Sequence, residues 1–252
     1  MNCVISGYGY VGKATELVAL QNHISVYIND PKLPESIVDW KSAKYHFVCV
    51  PTPLNSEHTH DTSAVINALD LAAQQGFLGV TVIRSTMSPV DCDSLKLDNT
   101  AIVWPEFLRK ATWTTDAVTP LMSIVGGDNV AEFMQDFATI PITHIGSAKD
   151  AAMAKLAVNS YLAVRTVIVN DIRKTCDALN LNWRGVKQVL DMDPRLGKGY
   201  WDQPGPDGRY GFGGGCLPKD TAAMSTLMTD MQIAESYAAW AVERNKTLRD
   251  DV

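Results

Sequence analysis

Cys216 follows four glycines in five residues, Gly211-Phe212-Gly213-Gly214-Gly215, and precedes Leu217-Pro218-Lys219-Asp220. Glycine carries no side chain and admits positive φ, so a ligand can come close to the backbone there. Pro218 fixes φ, and the polar, alanine-rich run from Asp220 reads as a helix start. Cys216 then stands just ahead of a helix N-terminus, where the macrodipole and the unpaired N–H groups favour thiolate over thiol. That is the chemistry of a nucleophile. Lys219 adds a positive charge, and Asp220 a carboxylate able to orient or accept protons. A buried structural thiol in a glycine loop is the competing reading. Lys155 and Asn159 lie at i and i+4 in a helical run and share one face. A lysine and an amide projecting together suit an oxyanion; the plainer reading is a snorkelling lysine beside an incidental neighbour.

A second glycine loop, Gly7-Tyr8-Gly9-Tyr10-Val11-Gly12, requires definite elements around it. Residues 2–6 form an apolar run that predicts a buried strand. Helical spacing runs from Lys13 to about Leu20, and residues 24–28 predict a second strand ending in Asn29-Asp30. Strand, GxGxxG, helix, strand and acid make a dinucleotide-binding βαβ unit, with Asp30 eighteen residues beyond Gly12. The glycines let a pyrophosphate reach the helix N-terminus. An acid at the end of the second strand bonds both ribose hydroxyls, which selects NAD over NADP; Asp30 and Asn29 both stand at that point.

Further strands are expected at 45–50, 79–83, 101–103, 123–125 and 142–145, with a helix over 63–75 capped by Asp61. The first of these strands ends in Val50-Pro51-Thr52-Pro53, a rigid loop. The next two end in Arg84-Ser85-Thr86 and Trp104-Pro105-Glu106-Phe107-Leu108. In an open α/β sheet these ends form the ligand edge, although Thr86 or Glu106 taken singly reads as a cap or turn residue. From Ser147, with Asp150 three residues on, a capping-box-like pair opens a helix over 148–180. Such a helix, about 50 Å long at about 1.5 Å per residue, suits a spine between domains or a subunit interface. A short helix over 181–190, a Pro/Gly/aromatic loop over 198–210, and one or two helices over 221–252 ending in charged, fraying residues complete the chain. The expected fold is α/β: a Rossmann-type doubly wound sheet over 1–147, then a long central helix and a small helical domain over 148–252.

The 252 residues are 46% hydrophobic and 20% charged, an ordinary soluble globular composition. Net charge is −6 and no basic tract is present, which argues against nucleic acid as a partner. The five cysteines are odd in number and lack metal-type spacing, and the five histidines are scattered. This predicts no metal and a reducing, cytoplasmic compartment. The start lacks a basic n-region and cleavage site. The apolar run over 151–169 is interrupted by Lys155, Asn159 and Arg165 and makes a poor membrane span.

Taken together and in order, these motifs resemble the UDP-glucose/GDP-mannose dehydrogenase family. The carriers are Gly7–Gly12, Val50-Pro51-Thr52-Pro53, Arg84-Ser85-Thr86, Pro105-Glu106-Phe107-Leu108, Ala154-Lys155-Leu156-Ala157-Val158-Asn159 and Gly211–Asp220. The resemblance covers nearly the whole chain. It implies a four-electron oxidation of a nucleotide-sugar C6 alcohol to the carboxylate with two NAD. UDP-glucose is the expected substrate, with GDP-mannose or an N-acetylated UDP-sugar as alternatives. Cys216 would form a thiohemiacetal and then a thioester. Lys155 and Asn159 would stabilise the oxyanion; Asp220, Glu106 and Thr86 would handle water and protons, with Glu106 the general base. Cofactor contacts are implied for Gly7, Tyr8, Gly9, Tyr10, Val11, Gly12, Asp30, Val50, Pro51, Thr52 and Thr86. Substrate contacts are implied for Phe107, Leu108, Lys155, Asn159, Gly213 and Lys219, and for Arg195 reaching across a homodimer formed through the long helix. Three departures stand out. Lys110 occupies the place of a second family acid, the 195–216 loop is longer than usual, and the second α/β domain of the family does not follow within this chain. A non-catalytic NAD-binding or dimerisation module is the other function class, and a 3-hydroxyacid dehydrogenase shares the layout without needing Cys216.

Overall fold

The computed structural model describes residues 1–33, 38–97, 101–128, 130–197 and 199–251. Lys198, where the long loop was expected to begin, and Val252, the last residue of the expected terminal helices, lie outside the described residues. The chain divides into two compact units, Met1–Asn55 with His60–Lys155, and Ser56–Thr59 with Leu156–Val252.

The first unit contains strands β1 (Asn2–Ser6), β2 (Ser25–Asn29), β3 (Ala43–Val48), β4 (Val80–Ile83), β5 (Ala101–Val103), β6 (Ser123–Val125) and β7 (Ile142–His144). Between them run α1 (Tyr10–Gln21), α2 (Ser63–Gln74), α3 (Pro89–Ser94), α4 (Trp113–Val118) and α5 (Val130–Asp136). Five strands form one parallel sheet in the order β2-β1-β3-β4-β5, and β6 pairs with β7 in parallel. The chain leaves β1 for β2 on one side, then crosses to β3 on the other. That reversal between β1 and β3 is the switch point at which doubly wound sheets bind ligands. The register aligns the strand ends: Ser6 pairs with Asn29 and Val48, Val48 with Ile83, and Ile83 with Val103. Loops beginning at Gly7, Cys49, Arg84 and Trp104 therefore leave from one edge.

Both faces of this sheet are covered, which is why its strands are nearly continuous apolar runs. Cys3, Ile5, Tyr45 and Phe47 pack with Trp104, Phe133 and Phe137 on one face, while Val4, Trp40, Ala43 and Ala72 pack on the other. The ring centroids of Phe133 and Phe137 are 4.7 Å apart, and Trp104 meets Phe133 edge-on at 5.2 Å. α5, which carries Phe133, had no strong periodic signal; seven residues are too few to show one. α3 is shorter still, yet its Ser88–Asp91 capping box and Pro89 are legible start signals.

α6 (Ala148–Ala178) crosses the boundary between the units, and the second adds α7 (Trp183–Met192), α8 (Leu217–Asp230) and α9 (Tyr237–Lys246). Within the second unit α6 is the spine. Val169 and Cys176 pack with Trp183 and Trp201; Ala163 and Val167 pack with Phe212 and Ala241; Leu156 packs with Met224 and Ala238. Three clusters around one helix explain apolar positions too numerous for a single face. By length and composition α6 could cross a membrane, but half of its most apolar window is buried in the protein, with Ser160 and Asn170 wholly enclosed. It is a core helix.

Candidate active site

The loop after β1 shows what each glycine is for. Gly7 has φ +88°, and a Cβ there would lie 2.8 Å from the Cys49 carbonyl oxygen. A Cβ on Gly12 would lie 2.1 Å from the Gly7 carbonyl oxygen. Neither position admits a side chain. Gly9 differs: nothing lies within 4 Å of its missing Cβ. It is also the N-cap of α1, and no side chain caps that helix. An uncapped helix N-terminus beside an open cradle, bounded by backbone, is what a pyrophosphate needs. Asp30 closes the arrangement. Its carboxylate accepts from the Tyr8 N–H at 2.6 Å and the Lys32 N–H at 2.8 Å, and these amide bonds hold its carboxyl below the usual range. Asn29 turns the other way, donating to the Ser6 hydroxyl at 3.1 Å. Of the two candidates at the end of β2, Asp30 is the one tied to the glycine loop. Tyr8 donates to Glu16, a bond that raises the phenol to about 12. These residues fit NAD, and Gly9 is the position at which added bulk would meet it.

The loops after β3 and β4 are stitched together. Thr52 donates to the Thr86 carbonyl at 2.7 Å, and Ser85 donates to the Val50 carbonyl at 2.6 Å. Thr52 is buried, Pro51 is exposed, and Thr86 is half-buried.

After β5 the chain turns into a buried charge centre. Glu106 and Lys155 are 5% and 3% exposed. Lys155 Nζ donates to the Glu106 carbonyl at 2.5 Å and to its carboxylate at 3.2 Å, and lies 5.1 Å from the centre of the Phe107 ring. The other carboxylate oxygen accepts from the Leu108 N–H at 2.7 Å, and Tyr10 donates to the centre at 3.4 Å. A buried ion pair is tolerated only when its remaining hydrogen-bonding capacity is filled in this way. Phe107 and Leu108 thus support this centre. Lys110 is exposed.

Arg84 has no sequence signal of its own beyond its place in Arg84-Ser85-Thr86. It is 6% exposed, its guanidinium lies 4.0 Å from the centre of the Trp104 ring, and Nε and Nη1 have no hydrogen-bond partner. Burial lowers its basicity, while Cys49 and Glu106 oppose that shift. Arg84 and Glu106 share the lining of a cavity of about 20 Å³ with Asp116 and Ser123, enough for a water. A cation at the buried end of β4 was the available signal.

The second unit holds another centre. Cys216 is the half-buried N-cap of α8, and Pro218 lies in the first turn. The helix begins three residues before the predicted start at Asp220, because proline is tolerated in a first turn. Asp220, one turn beyond Cys216, is 1% exposed. It accepts from Asn159 Nδ2 at 2.5 Å and from Lys219 Nζ at 2.6 Å. Asn159 is therefore fixed in orientation, with its amide nitrogen toward the carboxylate. Arg195 stands elsewhere: it is highly exposed and pairs with Asp193 at 2.6 Å. Gly213 faces protein, since a Cβ there would meet the Arg249 guanidinium at 2.3 Å, whereas Gly214 and Gly215 face open space.

Residues 20–140 match the UDP-glucose/GDP-mannose dehydrogenase family, NAD binding domain, and residues 149–247 match the central domain of the same family. The chain belongs to the UDP-glucose/GDP-mannose dehydrogenase family. Its cofactor is NAD. A UDP-glucose 6-dehydrogenase of Streptococcus pneumoniae is 27% identical over 99% of this chain and 74% of its own length. A Rickettsia typhi UDP-glucose 6-dehydrogenase is 25% identical over 82% of this chain, which spans half of that relative. Among solved structures, a UDP-glucose dehydrogenase from Pyrobaculum islandicum superposes with a TM-score of 0.80 at 20% identity, over 98% of this chain and 68% of that one. A 3-hydroxyisobutyrate dehydrogenase of Mycobacterium tuberculosis gives a TM-score of 0.75 at 16% identity, over 99% of this chain and 94% of that one. At such identities these likenesses speak to the fold alone.

Proposed function

We propose that the chain carries the NAD-binding and catalytic parts of a nucleotide-sugar 6-dehydrogenase that oxidises a C6 alcohol to the carboxylate, with UDP-glucose as substrate. NAD, when bound, supplies the hydride acceptor. The protein's residues do the rest. Cys216 attacks the C6 aldehyde carbon, and sulfur bonds to carbon as the carbonyl becomes an oxyanion, then a thiohemiacetal. Lys155 and Asn159 donate to that oxygen; loss of one such donor typically costs about 10²–10³ in rate. After the second oxidation a thioester remains. Water adds to the acyl carbon, the thiolate leaves, and Glu106 takes the proton from water. Thr86 assists the water, and Asp220 steadies Asn159 and shares protons. The protein works in the cytoplasm as a homodimer through α6, with Arg195 supplied to the partner's sugar.

One observation carries this reading: a buried aspartate one turn after a helix-capping cysteine, bridged to both an amide and a lysine. A structural thiol needs none of that apparatus. The similarity of fold to a 3-hydroxyisobutyrate dehydrogenase supplies a second reading, oxidation of a small hydroxy acid by two electrons with no covalent step. NADH formed per substrate consumed, over a panel of UDP- and GDP-sugars and small 3-hydroxy acids, decides. Two NADH per UDP-glucose is the expected result. One NADH per substrate, undiminished in Cys216→Ser, favours the hydroxy-acid reading. NAD binding without turnover on any substrate overturns the proposal in favour of a binding module.

A further inference from the structure

Asn245 lies on α9, in a stretch whose charged composition predicts frayed, solvated residues, yet it is 2% exposed. Its side chain makes both hydrogen bonds of a peptide partner. Oδ1 accepts from the Phe212 N–H at 2.8 Å, and Nδ2 donates to the Phe212 carbonyl at 2.9 Å. The neighbouring amide is held from the other side: Gly211 N–H donates to Asn170 Oδ1 at 3.1 Å, and Asn170 is wholly buried on α6. Gly211 has φ +75°, and a Cβ there would lie 2.3 Å from Asn245 Oδ1. Glycine at 211 is therefore what lets the amide reach the backbone. Next, the guanidinium of Arg249 fills the space beside Gly213 and is pinned by Asp207 at 2.9 Å and Asp251 at 2.7 Å. Phe212 is buried with Ala163, Val167 and Ala241. The α9 helix is docked on α6 by Arg244 and Asp171, 2.5 Å apart. Three consecutive residues of the loop are thus fixed by side chains of α6, α9 and the segment after α9, and Gly214-Gly215-Cys216 follow directly.

We propose that Asn245 is the positioning residue of the Cys216 loop: its paired hydrogen bonds to Phe212, backed by Asn170 and Arg249, set the backbone that places Cys216 at the N-cap position of α8. Buried bonds to the N–H and the carbonyl of one residue hold the two peptide planes on either side of its Cα. Losing them leaves the Phe212 N–H and carbonyl unpaired in an apolar cluster, so the loop must move to rehydrate them. Cys216 moves with it, away from the partial positive charge of the α8 N-terminus.

This rests on reading Cys216 as the nucleophile, but it is read without turnover. Iodoacetamide alkylation of Cys216 in the full chain is followed by peptide mass, with Cys216→Ser as background for the four buried thiols. Alkylation reads where the sulfur stands relative to the unpaired N–H groups of the α8 N-terminus, so Asn245→Leu slows it by about fivefold, the order a helix terminus supplies. Asn245→Asp, which keeps the acceptor for the Phe212 N–H but sets an oxygen against the Phe212 carbonyl, slows it too. In the NADH assay Asn245→Leu lowers kcat by about 10²-fold, as a displacement of about 1 Å does, while KM for NAD stays at the parent value. A folded Asn245→Leu, by far-UV circular dichroism, that alkylates at the parent rate overturns the proposal. Should that variant not fold, Asn245→Asp decides, and alkylation at the parent rate overturns it equally. If no variant or parent turns over any sugar, the alkylation rates still separate this inference from the proposed reaction.

Discussion

In the loop after β1, backbone fills the space that glycine leaves; in the loop before α8, side chains from α9 and the segment after it fill it. Gly7 and Gly12 are pressed against the carbonyls of Cys49 and Gly7. Gly211 and Gly213 are pressed against Asn245 and Arg249. Each loop then leaves open positions next to a helix N-terminus, Gly9 in the first and Gly214 and Gly215 in the second. A loop held by backbone can be neither loosened nor retuned without losing the strand ends themselves. A loop held by side chains can be adjusted one residue at a time, which suits a segment that, on the proposed function, places a reacting sulfur.

The sharpest way to break this contrast is Gly12→Ala. Its Cβ meets a carbonyl oxygen that cannot step aside, so it should cost at least the 1–3 kcal/mol typical of overpacking, read as a fall in melting temperature. A variant that melts like the parent would remove the claim that backbone defines the first loop.

The support behind that loop should also be acid-labile. His46 is wholly buried, pairs with the Ser6 hydroxyl at 2.8 Å, and is held down to about 4 by burial, against an ordinary value of 6.5. The unfolded chain therefore binds the proton first as pH falls. Stability is full above pH 6.5 and declines between 6.5 and 4, by up to about 3 kcal/mol at the lower end. Urea midpoints across that window check this, and His46→Phe should flatten the part of the slope that His46 causes.

Gly213→Ala is expected to fall next, at about 1–2 kcal/mol, because Arg249 is the far end of a side chain but is pinned by two carboxylates. The added Arg249→Ala change should recover part of the loss from Gly213→Ala; a strictly additive double variant would deny that the two groups touch.

The smallest stability effects belong to the open positions. Gly9→Ala and Gly215→Ala should each shift stability by about 0.5 kcal/mol or less. Gly9→Ala should nonetheless weaken NAD by about tenfold in a fluorescence titration, since its methyl enters the cradle. An unchanged affinity would show that the cofactor does not approach there.

The sequence by itself determined the βαβ unit, the ligand edge and the long helix, because each rests on local rules. Glycine spacing, apolar runs and a proline after a cysteine are read within a few residues. It also showed Asp30 and Asn29 as alternatives, but not which one faces the loop; that depends on where Ser6 of the neighbouring strand offers its hydroxyl. The pairing of Glu106 with Lys155 joins residues 49 positions apart, the clasp of Asn245 on Phe212 joins residues 33 apart, and Arg84 is buried with no partner at Nε and Nη1. Nothing in the spacing of those residues marks them, because side chains from separate elements meet only once the chain is packed. Asn245 is the clearest case: on a charged terminal helix it looks solvated, and only the approach of α9 to the glycine loop turns its amide into a peptide's partner.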